Sequence, residues 1–225
     1  MVRAELLKIA GLPSVWVAAA IGLFAPALLG VVNLRAPGTD PDAGYLELTV
    51  GVVGALVLGV VTAGSEYRGR QITTSLVCVP SRVRLLAAKT AALALTVAVV
   101  AVPASIASLA VAGTLSAGAV PRIAGVTAYW VLSALLAYGI TLVVRSGVLP
   151  LTVLILNSSV VSVTYLLTRV TPWATYLPDL AGAHLFIRET NAPIELGAVT
   201  GGLVMAGWTA AVLAVATVVF RRRDA

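Results

Sequence analysis

Residues 65–89, SEYRGRQITTSLVCVPSRVRLLAAK, are the only long internal run of this chain that mixes charged with apolar residues. On each side the sequence is apolar for about the thickness of a membrane. A polar segment between two such stretches is typical of a loop that joins two transmembrane helices at a membrane surface. The stretch therefore predicts a helical membrane protein with a surface loop over 66–84.

The composition excludes a soluble domain. Of the 225 residues, 60% are hydrophobic and 11% are charged, and the mean hydropathy is +1.03. Soluble domains contain about 25% charged residues. Cys78 is the one cysteine, so an internal disulfide and a cysteine metal cluster are both excluded. We predict an all-α integral membrane protein with one transmembrane domain over 1–225, and we expect no cleaved signal peptide.

Six uncharged windows approach or exceed the roughly 20 residues that a helix needs to cross the hydrocarbon. A soluble bundle would need polar outer faces on these helices, and the windows have none. The windows are 9–34, 48–65, 90–121, 123–144, 146–168 and 196–220, and the predicted spans cover 14–34, 46–65, 87–111, 123–144, 147–168 and 196–220. Glu47 and Lys89 lie at the edges of their spans, outside the windows.

The first 13 residues have helical periodicity and predict a helix in the lipid headgroup layer. Their apolar and charged side chains fall on opposite faces. The two faces hold Leu6, Ile9 and Ala10 on one side and Arg3, Glu5 and Lys8 on the other. A frayed cytosolic end of the first span is the alternative.

The basic residues predict the orientation. With a cytosolic N-terminus, eleven Lys and Arg residues lie inside and four lie outside, the bias expected of the cytosolic side. Both termini are then cytosolic. This topology accounts for most of the net charge of +6, so nucleic acid is not an expected partner. The preference for alanine, valine and arginine over lysine is typical of a high-GC bacterium and predicts the bacterial cytoplasmic membrane.

The outer loop over 169–195 is too apolar to be a solvated connection. It combines large apolar and aromatic residues with two prolines and predicts short interfacial or re-entrant helices. These residues are Trp173, Tyr176, Leu177, Leu180, Leu185 and Phe186, with Pro172 and Pro178.

The sequence contains few residues that could catalyse a reaction or bind an ion. An ion-coupled transporter generally needs ionisable residues at membrane depth, and none of the six windows has one. An enzyme would have to rely on His184, Asp179 and Glu189 in the outer loop, and we predict neither catalytic residues nor a metal site. Lys89 and Thr90 match the last two residues of a phosphate-binding loop. The four residues before them, 85–88, include no glycine, so this motif does not bind ATP.

Several motifs occur in a recognisable order along the chain. They are Glu66, Tyr67 and Arg68 after the second span, then Thr73, Thr74, Leu76, Pro80 and Arg82, Lys89 at the third span, and Tyr176, Leu177 and Pro178 outside. With the N-terminal helix and the six spans, this order resembles the permease subunit of the type-2 ABC exporter family across the whole chain. A single such subunit is not an enzyme.

The resemblance implies a coupling helix between the second and third spans, which docks on a separate ABC-type ATPase subunit that holds ATP and Mg. The implied coupling residues are Glu66, Tyr67, Arg68, Arg70, Ile72, Thr73, Thr74 and Leu76. The arginines of this loop could instead only anchor the topology, which is the interpretation we prefer for Arg82, Arg84 and Lys89.

The resemblance also implies a pathway between two permease subunits, identical or paralogous, within the lipid bilayer. Polar residues of the fifth span are candidates to line it, although they could equally form hydrogen bonds within the bundle. They are Asn157, Ser158, Ser162, Thr164 and Tyr165, with Trp173, Tyr176, Leu177 and Pro178 as the outer-loop candidates. The expected function is ATP-driven efflux of an amphipathic or hydrophobic cargo, such as a natural product, a peptide or a lipid. A non-transporting membrane scaffold or sensor subunit of an ATPase complex is the alternative.

Overall fold

The computed structural model describes residues 1–33, 42–67, 81–160, 162–188, 190 and 192–222, and in these ranges the chain is helical with no strand. The α-helices are α1 Val2–Ala10, α2 Pro13–Asn33, α3 Tyr45–Tyr67, α4 Arg82–Ala112, α5 Val120–Val144, α6 Val148–Ile155, α7 Val163–Thr168, α8 Pro178–Ala183 and α9 Ala198–Arg222. Two 3-10 turns, Ala117–Ala119 and Pro172–Tyr176, and a π-helical stretch, Leu156–Val160, connect some of them. The all-α prediction is confirmed for these ranges.

Five of the described helices, α2, α3, α4, α5 and α9, are long and apolar enough to cross a membrane. The chain is thus a multi-pass membrane protein. The count of six spans and the cytosolic side of the termini stay predictions.

The centre of the bundle is the pair α3 and α5. In their most apolar windows 67% and 61% of the residues are buried, against 17% for α9 at the periphery. The two helices approach closely at Gly59, since a Cβ there would overlap the carbonyl oxygen of Ala134. Trp130 is fully buried, and its indole Nε1 donates a hydrogen bond of 3.2 Å to the carbonyl oxygen of Leu48.

One end of the bundle is held by a cluster around Arg122, which we call the outer cluster (Asp42, Tyr45, Arg122 and the backbone of 186–188). The Arg122 guanidinium pairs with the buried carboxylate of Asp42 and donates a 2.7 Å hydrogen bond to the Phe186 carbonyl. It also lies 3.5 Å from the centre of the Tyr45 ring, a cation–π contact. The starts of α3 and α5 and the end of the outer loop thus share one polar group.

Glu47 joins α2 to α3 at this same end. Its Oε1 accepts a 2.8 Å hydrogen bond from Asn33 Nδ2, and its Oε2 accepts one of 2.8 Å from the backbone nitrogen of Gly44. The second bond satisfies an amide that the start of α3 leaves without a helical partner. Gly44 has a φ of +85°, a conformation that only glycine adopts at little cost. Glu47 is therefore a buried helix cap.

The opposite end is held by an ion pair that sequence reasoning missed. Glu5 and Ile9 share the buried face of α1, and Glu5 Oε2 accepts a 2.8 Å hydrogen bond from the buried Lys89 Nζ of α4. The prediction that Glu5 lies on the outward charged face is wrong, because its partner is 84 residues away in sequence. Ala10, predicted on the apolar face, is exposed. Lys89 has a structural role beyond topology.

The pH dependence of this contact follows from the pKa of Glu5. Burial by itself raises this pKa, but the hydrogen bonds and charges of Lys89 and Lys8 outweigh it and hold the pKa below the usual 4.5. A carboxyl group with a lowered pKa stabilises the folded state above its unfolded pKa. The docking of α1 is therefore at full strength above about pH 4.5 and is lost as the pH falls below it.

Replacing Lys89→Met should release α1 from the bundle. Loss of one partner of a buried ion pair costs about 3–5 kcal/mol, and a nine-residue helix does not persist alone. We expect the amides of α1 to exchange at least about tenfold faster by hydrogen–deuterium exchange, with α9 unchanged. Lys8→Met is the matched control, since the Lys8 side chain is 50% exposed. Unchanged exchange in Lys89→Met would contradict the role of the pair.

Substitution Gly59→Ala should separate α3 from α5. The added methyl group meets backbone rather than a flexible side chain, so a helix has to move, at a cost of about 1–3 kcal/mol. We expect a lower thermal unfolding temperature in detergent or nanodiscs. Gly64→Ala is the control in the same helix, because no atom lies within 4 Å of its added Cβ. Equal melting temperatures for the two variants would disprove the close contact.

Candidate functional site

The segment predicted as the fifth span, 147–168, is a broken helix. Helix α6 ends at Ile155, the π-helical stretch follows, Ser162 is extended, and α7 starts at Val163. Asparagine and serine side chains, such as Asn157 and Ser158, compete for backbone hydrogen bonds, which weakens a helix at this point. Together with the π-helical stretch, the helical run over 148–160 has 13 residues, fewer than the roughly 20 that a helix needs to cross the hydrocarbon core.

Two of the predicted pathway residues bind the backbone at this break. Asn157 Oδ1 accepts hydrogen bonds from the backbone nitrogen and the hydroxyl of Thr164, at 3.1 and 3.0 Å. Ser162 Oγ accepts one of 3.1 Å from the backbone nitrogen of Tyr165 and so caps α7. Side chains thus accept hydrogen bonds from the backbone N–H groups that have no helical partner at the start of α7.

The outer loop folds back into the bundle beside α9. Trp208 Nε1 donates a 2.9 Å hydrogen bond to the carbonyl of Tyr176, and Trp208 lies ten residues, or about 15 Å, into α9. The chain then returns to the outer cluster, where the Phe186 carbonyl binds Arg122. Short helices were predicted in this loop, and the structure has them as the 3-10 turn and α8.

This loop carries a carboxylate to the broken helix. Asn157 Nδ2 donates a 2.6 Å hydrogen bond to Asp179 Oδ2, and Asp179 lies in the first turn of α8. Among the described residues, no lysine, arginine or histidine forms an ion pair with Asp179. The six uncharged windows contain no acidic or basic residue, yet Asp179 reaches the broken helix from the outer loop. Only the hydrophobicity of the outer loop hinted at this placement.

Asn157 and Asp179 line a half-enclosed cavity of about 130 Å³. Its lining is mostly apolar, and we call the hydrogen-bonded Asn157–Asp179 pair its polar end. The lining residues are Leu56, Tyr129, Ser133, Leu136, Leu154, Asn157, Ser158, Thr164, Leu177, Pro178, Asp179 and Met205. Leu56 is the middle residue of α3, and Ser133 lies next to the middle of α5, so the cavity is near mid-depth in the bundle.

Of the five predicted pathway residues, three line this cavity: Asn157, Ser158 and Thr164. Ser162 caps α7, and the Tyr165 ring lies 5.7 Å from the guanidinium of Arg169. From the outer loop, Leu177 and Pro178 also reach the cavity.

Trp173 and Tyr176, the other two outer-loop candidates, line an open apolar groove of about 360 Å³ against α9. Their rings are 5.9 Å apart, and Trp173 is 74% exposed. Leu177 lies between the groove and the cavity and contributes to both.

The predicted coupling loop lies almost entirely outside the described residues. Glu66 and Tyr67 are the last two residues of α3. Arg68, Arg70, Ile72, Thr73, Thr74 and Leu76 fall in the part of the chain that the structure does not describe.

His184, the histidine considered for catalysis, is buried and bound on both ring nitrogens. Nδ1 lies 2.9 Å from the Leu180 carbonyl, to which it donates, so Nε2 accepts from the Thr190 hydroxyl at 2.9 Å. This arrangement holds the end of α8 in place. Glu189 lies outside the described residues. Within those residues no three His, Cys, Asp or Glu side chains are close enough together to hold a metal ion.

The comparison with known proteins gives no family: no protein-family model matches this chain, and no curated protein sequence matches it.

Substitution Asn157→Leu should loosen α7 and α8 together. It removes the acceptor for two Thr164 donors and the donor to Asp179, and each unsatisfied buried group costs about 1–3 kcal/mol. We expect amide exchange over 164–168 to accelerate about tenfold. The control is Thr152→Val in α6, whose exposed hydroxyl bonds only within its own helix, to Val148. If α7 exchanges equally in both variants, Asn157 does not hold the break.

Proposed function

We propose that this chain is the permease subunit of an ABC exporter in the bacterial cytoplasmic membrane, and that it moves an amphipathic or hydrophobic cargo with energy from a separate ATPase. The observation that carries the proposal is the cavity at mid-depth in the bundle, between the broken helix and the outer loop. A helix interrupted at this depth is typical of segments that line a pathway rather than face lipid. The family named in this proposal rests on the resemblance of the sequence motifs to those of type-2 ABC exporter permeases.

The size of the cavity supports a pair of permease subunits. A drug-sized ligand occupies a pocket of about 300–1,000 Å³, and one chain encloses about 130 Å³. A second copy or a paralogue would supply the remaining wall. The mixture of leucine side chains with scattered hydroxyl groups suits an amphipathic cargo better than a sugar.

The proposed coupling segment is joined in sequence to a helix that lines the cavity. It follows α3 directly, and α3 reaches the cavity at Leu56, eleven residues or about 16 Å before its end at Tyr67. The helix that follows the segment, α4, is tied to α1 through Lys89 and Glu5. A displacement of residues 68–80 by a docked ATPase would therefore be passed to the central helix and to the N-terminal helix.

Photo-crosslinking from the coupling segment tests this proposal. A photoreactive amino acid in place of Tyr67 or Ile72 should crosslink, in native membranes, to a protein that mass spectrometry identifies as an ABC-type ATPase. The same amino acid in place of Leu28, which is 64% exposed in the second half of α2, is the control and should give no such product. Glu66→Ala with Tyr67→Ala should reduce co-purification of that ATPase about tenfold or more.

Two results would count against the exporter. Absence of any ABC-type ATPase from both crosslinked positions removes the energy source. If the ATPase is captured but purified complexes in vesicles transport equally well with a hydrolysis-deficient ATPase, the chain is not driven by ATP. Capture of the ATPase with no transported cargo would favour the scaffold or sensor subunit.

A further inference from the structure

We propose that the cavity of Asn157 and Asp179 binds the ammonium group of a cationic amphipath. The site is the polar end of the cavity at mid-depth in the bundle, and the ligand class is a primary amine attached to an apolar body. That such an amine is the exported cargo rests on the function proposed above, whereas its binding to this chain does not.

The first support is the carboxylate itself. A carboxylate at membrane depth is costly unless a hydrogen-bond donor or a cation compensates it. A carboxylate has about four acceptor positions, and Asn157 Nδ2 fills one of those of Asp179. Since no lysine, arginine or histidine of the described residues pairs with Asp179, a cationic ligand would meet an incompletely compensated acceptor.

The second support is the set of groups around the carboxylate. An ammonium group has three N–H donors and no acceptor. Ser133, Ser158 and Thr164, which also line the cavity, carry hydroxyl oxygens that can accept further hydrogen bonds. A divalent metal ion would need several carboxylate or imidazole ligands, and the described residues contain no group of three. An anion would be repelled by Asp179.

The third support is the shape and polarity of the rest of the cavity. A volume of about 130 Å³ corresponds to roughly four water molecules, enough for an ammonium group and a few methylene groups. The apolar part of the lining includes Leu56, Leu136, Leu154, Leu177 and Met205. An alkyl chain would lie against these side chains and leave through the open side, so the body of the ligand would extend beyond this chain.

The test uses dansylcadaverine, a fluorescent primary amine, and a neutral analogue in which a hydroxyl group replaces the terminal amine. Each probe is titrated against the full chain in lipid nanodiscs, with the signal from empty nanodiscs subtracted. We expect the wild type to bind the amine at least about tenfold more tightly than the alcohol. Asp179→Asn should abolish this preference by weakening amine binding alone, and Asp179→Glu should retain it.

Several results would overturn the proposal. If the wild type binds the two probes with equal affinity, the proposal is wrong, and this result does not depend on whether Asp179→Asn folds. Unchanged amine binding in a folded Asp179→Asn protein also overturns the proposal, and an equal loss of both probes shows that Asp179 only shapes the cavity. The assay contains no ATPase, so a selective amine site can be found even if the exporter proposal fails, and the crosslinking experiment can succeed without such a site.

Discussion

A chain inside hydrocarbon has to satisfy its own backbone polar groups, and this constraint governs the structure of the whole bundle. Five helices meet it through their internal hydrogen bonds. The segment over 148–168 meets it differently, because its helix stops at mid-depth and side chains take over. Asn157 and Ser162 accept the amide hydrogens at the start of α7. A polar residue thus stands on each side of the break, and one of the two, Asn157, also lines the cavity.

Charged side chains at the two ends of the bundle fix how the helices meet. Arg122 and Asp42 join α3, α5 and the outer loop at one end, while Glu5 and Lys89 join α1 to α4 at the other. Between these ends, small residues such as Gly59 let the helices approach closely. Since apolar side chains gain little from leaving lipid for protein, such polar contacts and close backbone packing are the interactions that specify one arrangement.

Hydrophobicity and length predicted the all-α class and the positions of the long helices, because a membrane span is a local property of sequence. The contacts between distant residues were not predictable in this way. Glu5 was assigned to the wrong face since nothing near it in sequence indicates Lys89. Asp179 was read as an outer residue because its depth depends on how 172–183 packs along α9. The break in the segment predicted as the fifth span was not foreseen either, because its polar residues were considered only as pathway or hydrogen-bonding residues of an uninterrupted helix.

The placement of Asp179 on a loop helix rather than on a span has a consequence for assembly. An acidic residue at the centre of a span raises its insertion free energy by about 2.5–3.5 kcal/mol. The windows of this chain avoid that cost because they carry no charge. Helix α8 can bring the carboxylate to Asn157 after the spans have inserted, when the bundle already offers a hydrogen-bond donor. A half-buried acidic group can thus be brought into the bundle of a membrane protein without weakening the insertion of any span.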